Sequence, residues 1–154
     1  MKTIILVMMI TVFTGIGLEQ AKTKKEIVRN AFDAWAANGT SDVFDLLSDE
    51  LHWRINGSTP WSKTYTSKQQ FMEEVIIPLN KKLSAKIKPT VRSIYQDGNT
   101  VIVIWDGQAT ALDGRPYRST YSWNMTFDGD KIVRVEAFLD TQEFGDIMRR
   151  IRVE

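Results

Sequence analysis

The 154-residue chain has no cysteine. That excludes disulfides, a thiolate metal site and a lipoprotein-type lipid anchor. It has one histidine, His52, so a zinc centre built on imidazoles is not expected. Charge of one sign is also missing. Twenty basic residues face nineteen acidic ones, no basic stripe stands out, and nucleic acid is not an expected partner. There is no glycine-rich phosphate loop and no cluster of metal-ligating residues, so no cofactor is implied. Proline is scarce, at four residues, and no internal repeat or interdomain linker breaks the chain.

The apolar run at the start is too short for a membrane span. It extends from Ile4 to Phe13 and reaches only Leu18 with two glycines included, whereas a span needs about 20 apolar residues. Lys2 ahead of this run, and small residues before a polar region, read as a secretory signal over residues 1–21. The mature domain is then 22–154, in a secreted or periplasmic setting with no stable membrane span after processing. A core of this size can stand without disulfides.

Thr23-Lys24-Lys25-Glu26 is a capping box. Ile27, Ala31 and Trp35, with Val28 and Phe32, then share one face of a first helix that ends at Asn38-Gly39. A short helix is expected over Asp42 to Leu47 and a first strand over Leu51 to Asn56. A loop follows from Trp61 to Thr66. Ser67 caps a third helix carrying Phe71, Met72, Val75, Ile76 and Leu79, with a kink or restart at Pro78. From Lys88 to Leu139 four strands follow, broken at Asp97-Gly98, Asp113-Gly114 and Asp128-Gly129. In the strand from Thr100 both faces are apolar in the first half, so it reads as central and covered on both sides. Thr141 to Arg150 is a terminal helix.

This order of elements is similar to the nuclear transport factor 2-like fold and, within it, to the SnoaL-like relatives of polyketide cyclases. The likeness is carried by Ile27 to Trp35, by Leu46 to Trp53, by Gly57, Phe71 and Pro78-Leu79, and by Thr100 to Gly107. Tyr121-Ser122-Trp123, Asp128 to Ile132 and Phe138-Leu139-Asp140 complete it. The resemblance implies an α+β cone, with N-terminal helices packed on a curved antiparallel sheet around a mostly apolar pocket. It implies a small apolar or cyclic ligand, and a homodimer paired through the outer face of the sheet.

Asp140 matches the acid that SnoaL-like cyclases use for proton transfer. Asp140-Thr141-Gln142-Glu143 also reads as the N-cap of the last helix, and the two roles are compatible. Asp106, in the apolar strand Val101 to Trp105, is the second candidate acid, since a buried carboxylate needs a partner or a raised pKa. The alternative is a surface acid beside a bulge at Gly107. His52, on the first strand, is a candidate base or hydrogen-bond donor. Ketosteroid isomerase-like members place an aspartate base in this segment, where Arg54, Ile55 and Asn56 stand here. Trp53, Trp61, Tyr65, Trp105, Tyr121 and Trp123 are candidate pocket walls, with Trp61 and Tyr65 at the rim. Arg92 and Arg134 are solvated strand positions or contacts for an acidic ligand. The chemistry this suggests is binding of a small molecule, with carboxylate-mediated proton transfer of isomerase, lyase or hydrolase type. The alternative is a non-catalytic binding or interaction domain.

Overall fold

A computed structural model describes residues 21–39 and 42–153. Almost all of the expected signal segment therefore lies outside the described residues. The first helix, α1, runs Lys24–Asn38. The capping box is present as read, with the Thr23 hydroxyl accepting from the Glu26 N–H and the Glu26 carboxylate accepting from the Thr23 N–H. A 3₁₀ turn covers Asp42–Leu46. Strand β1 (Leu47–Ile55) starts four residues earlier than its alternation suggests. The segment read as a loop contains a two-residue strand, β2 (Thr64–Tyr65), which pairs with Trp53 and Arg54.

The third helical stretch is continuous but changes pitch. α2 (Lys68–Phe71) passes into a π-helical segment (Met72–Ile76) and then α3 (Ile77–Lys81), in which Pro78 occupies the first turn. Pro78 has no N–H to donate and its ring crowds the carbonyl four residues back. The wider π turn, closed by the Ile77 N–H on the Met72 carbonyl, absorbs that conflict without a break.

Four long strands follow: β3 (Leu83–Asp97), β4 (Thr100–Ala111), β5 (Pro116–Asp128) and β6 (Lys131–Phe138). Helix α4 (Thr141–Arg150) closes the domain. The sheet order is β2-β1-β6-β5-β4-β3, with β1 parallel to β6 and every other pair antiparallel. The tight turns put a positive-φ glycine first in the loop, Gly98 between β3 and β4 and Gly129 between β5 and β6. This is the position such hairpins reserve for it.

Alternation sorts β4 and β5 into two faces. Val101, Val103, Trp105 and Gly107 face inward with Tyr121, Trp123, Met125 and Phe127, and all are buried. From α1, Phe32 and Trp35 pack on Trp105 at 5.4 and 5.2 Å between ring centres. The outward residues Ile102 and Ile104 are only half-buried. β4 is thus covered on one face, against the sequence expectation of two. β4 also lies one strand in from the edge of the sheet rather than at its centre.

Candidate functional site

The inner face of the sheet, the C-terminal end of α1, the 3₁₀ turn and the π segment enclose a cavity of about 330 Å³. Its aromatic lining is Trp35, Phe44, Trp105, Tyr121 and Trp123. Met72, Ile76, Leu79 and Ile87 add aliphatic wall, and among the described residues Asp45, Asn80 and Lys86 bring polar side chains to it. All three of these are exposed, so polarity collects at the mouth.

The aromatic floor is tiled. Trp105 stacks on Tyr121 with centroids 4.1 Å apart and planes 9° apart, and meets Trp123 edge-on at 4.9 Å. Gly107 makes this possible. A β-carbon there would stand 3.0 Å from both Trp105 and Tyr121 and 3.2 Å from Ile87. The register between β4 and β5 runs unbroken past Gly107, so the glycine marks close packing rather than a bulge. The indole N–H groups of Trp53 and Trp105 are buried without a hydrogen-bond partner. Both indoles stand edge-on to Trp123, at 5.0 and 4.9 Å.

Tyr121 continues into a buried polar chain. Its hydroxyl lies 2.8 Å from that of Tyr117, and the Asp140 N–H donates to the Ser119 hydroxyl at 3.0 Å. Burial pushes the Tyr121 phenol up to about 12, against the opposing effect of hydrogen bonds from Tyr117 and Ser119. Tyr117 is raised well above 10 for the same first reason, reinforced by Tyr121. Both phenols are therefore neutral groups that exchange hydrogen bonds.

The three candidate proton-transfer groups do not line this cavity. Asp140 is the N-cap of α4, its Oδ1 accepting from the N–H groups of Gln142 and Glu143 at 3.0 and 3.1 Å. Asp106 points away from Trp105, since neighbours on a strand face opposite sides. There it accepts from the Thr120 hydroxyl at 2.6 Å and pairs with Arg92 at 3.4 Å. It is half-exposed, so the buried carboxylate read from the apolar run is instead a partnered group near solvent. Asp106 and Asp140 do border a common polar hollow with Gln108, Arg118 and Thr120, separate from the aromatic cavity. His52 is exposed on the outward side of β1, opposite Arg134 of β6.

Of the candidate wall residues, Trp105, Tyr121 and Trp123 line the cavity. Trp53 is stacked on Phe71 at 4.1 Å and borders a smaller adjoining hollow. Tyr65 lies in the core rather than at a rim, donating its hydroxyl hydrogen to the Trp61 carbonyl. Trp61 packs edge-on against Phe144 at 5.7 Å. Sequence reasoning missed Phe44, Ile87 and the mouth residues as cavity wall, and placed Trp35 on the apolar face of the first helix without a part in the cavity. The position of Trp35 one turn before the helix-ending Gly39 was the available signal.

Residues 28–135 match the model of the SnoaL-like domain family. The chain belongs to that family. Among curated proteins none matches it. A nuclear transport factor 2-like protein from Burkholderia thailandensis is similar in structure, with a TM-score of 0.67, 20% identity, and 84% of this chain and 99% of that one covered. A protein from Bacillus subtilis, provisionally assigned as an isomerase, matches with a TM-score of 0.65 at 17% identity, over 84% and 94% of the two chains. TerC, co-crystallised with polyporic acid, matches with a TM-score of 0.63 at 16% identity, over 80% and 95%. At these identities the likeness establishes the fold of the SnoaL-like domain and leaves its chemistry to the site.

Proposed function

We propose that this SnoaL-like domain binds a small, apolar, ring-bearing molecule in the aromatic cavity, outside the cytoplasm, without proton transfer by Asp140, Asp106 or His52. One observation carries the reading: the cavity is floored by five aromatic side chains while its charged groups, Asp45 and Lys86, sit at the mouth. Ligand sites of this kind are mostly apolar, with few polar groups to fix orientation. A cavity of about 150 Å³ accommodates benzene, so about 330 Å³ suits two or three rings. The two carboxylates support the non-catalytic side of the reading, because each is engaged elsewhere, in a helix cap and in an ion pair. The apolar segment behind Lys2 supports export.

The test is native mass spectrometry and solvent extraction of the protein purified from cells that make it. The expected result is one ring-bearing molecule per cavity, bound with equal affinity by the wild type and by Asp140→Asn and Asp106→Asn. A chemically altered molecule released by the wild type, with its precursor accumulating on Asp140→Asn, would overturn the non-catalytic reading.

A second reading, self-association through the outer face of the sheet, rests on a separate observation. Ile102 and Ile104 are half-buried on that face, and Tyr95 and Phe138 are 59% and 49% exposed. Register places Tyr95 beside Ile102, and Ile104 two positions from Phe138 across Ser122. Sedimentation of wild type against Ile104→Lys checks it. A dimer converted to monomer supports the reading, and a monomeric wild type removes it.

A further inference from the structure

We propose that the smaller hollow beside the cavity is a subsite for a short alkyl branch of the ligand, with Ala137 and Leu79 setting the length it accepts. This rests on the reading of the main cavity as a binding site. The hollow, of about 40 Å³, shares four wall residues with the cavity: Ile76, Leu79, Tyr121 and Trp123. A ligand lying on the aromatic floor therefore has this space directly beside it, along the side chains that the two spaces share. The far side is formed by Ile55, Ala137, Leu139 and Phe144, with Trp53 and Phe71 stacked beside them.

The chemistry of that wall selects the occupant. Every side chain in it is apolar except for three polar tips, those of Trp53, Tyr121 and Trp123, and the first two are unavailable. The Trp53 N–H is shut off from solvent, and the Tyr121 hydroxyl is engaged by Tyr117. Water in such a space would lack the two to four polar partners it requires, whereas a methyl or ethyl group loses nothing there. The volume leaves room for roughly three methyl-sized groups, judged against about 10–15 Å³ of such space for one water molecule. Ala137 is the control point on the far side. It is 1% exposed, borders the hollow and not the cavity, and is the smallest side chain in the wall. Leu79 is the control point on the near side, since it borders both spaces and truncating it would enlarge the room where they meet.

The experiment is equilibrium dialysis of the purified domain against naphthalene and its 1-methyl, 1-ethyl and 1-isopropyl derivatives. In the wild type each added carbon should tighten binding roughly fourfold until the hollow is full. Ala137→Leu fills the hollow from behind. It should leave naphthalene affinity within about twofold of wild type and reduce the alkyl gain to less than twofold. Ala137→Val, a smaller increment, serves should the leucine variant not fold, and should cancel the gain for ethyl before methyl. Leu79→Ala should extend the gain to longer branches. Equal affinities for naphthalene and its alkyl derivatives in the wild type would overturn the subsite and leave the cavity reading intact. So would an alkyl gain that survives in both Ala137 variants. Failure of naphthalene itself to bind would remove the cavity reading and the subsite with it.

Discussion

Replacing Asp140 separates a structural carboxylate from a chemical one. Its Oδ1 accepts two backbone hydrogen bonds, from Gln142 and Glu143, at the start of α4. Asp140→Ala removes the acceptor of both bonds. Loss of such a cap costs about 0.5–2 kcal/mol. The site is exposed, so water replaces part of the interaction, and about 1 kcal/mol is expected. For a domain of this size that corresponds to a fall in Tm of roughly 3–5 °C. Asp140→Asn keeps a competent cap and loses only the charge facing the positive end of the helix, a term of about 0.3–1 kcal/mol at an exposed position. The stability order should be wild type, then Asn, then Ala. Ligand affinity should be unchanged in all three, because Asp140 does not border the aromatic cavity. Urea denaturation and thermal melting give the first result and equilibrium dialysis the second. An alanine variant as stable as the wild type would refute the capping argument. A tenfold change in ligand affinity in the asparagine variant, with stability held, would refute the separation of Asp140 from the site.

Three further outcomes follow from the same geometry. Gly107→Ala places a methyl group 3.0 Å from Trp105 and Tyr121, so it should cost about 1–3 kcal/mol in urea denaturation and change the near-ultraviolet dichroism of the stacked rings; a silent substitution would contradict the close packing. At alkaline pH the sign is set by the raised phenols. The folded-state value for Tyr121, about 12, lies above the ordinary 10, so its contribution is complete below pH 10 and is lost as the pH rises from 10 through 12. Stability measured across that interval should fall, and Tyr117→Phe, which removes the second raised phenol, should flatten the decline. Lys82, buried between α3 and the chain end, donates its ammonium hydrogen to the Ile151 carbonyl. Lys82→Met should cost about 1–3 kcal/mol through the carbonyl left unpaired, read as a lower urea midpoint without loss of ligand binding.

The parts of the fold legible in the sequence were the ones fixed by neighbours in the chain. The Thr23–Glu26 capping box, the Ser67 cap, the aspartate–glycine turns and the alternation along β5 each depend on a few consecutive residues. The π segment was legible only as a conflict at Pro78, because the chain can resolve such a conflict by a kink, a break or a wider turn. The site was less accessible for a physical reason. Its lining comes from α1, the 3₁₀ turn, the π segment, α3 and three strands, and only long-range packing brings Trp35, Phe44, Ile87 and Trp123 together. Asp106 was misplaced because the apolar run before it suggested burial. Its outward direction was already implied by Trp105, since one of two strand neighbours must face away. Tyr65 was assigned to a rim because its segment looked like a loop, whereas pairing with β1 draws it into the core.

The most direct test of the binding site uses methionine methyl groups as reporters. Among the described residues Met72 borders the cavity, while Met125 and Met148 are buried away from it. Methyl-labelled protein titrated with naphthalene should show a saturable shift of the Met72 signal, with Met125 and Met148 nearly unmoved. A titration that leaves Met72 unmoved, or that moves all three methyl groups alike, would contradict binding in the aromatic cavity.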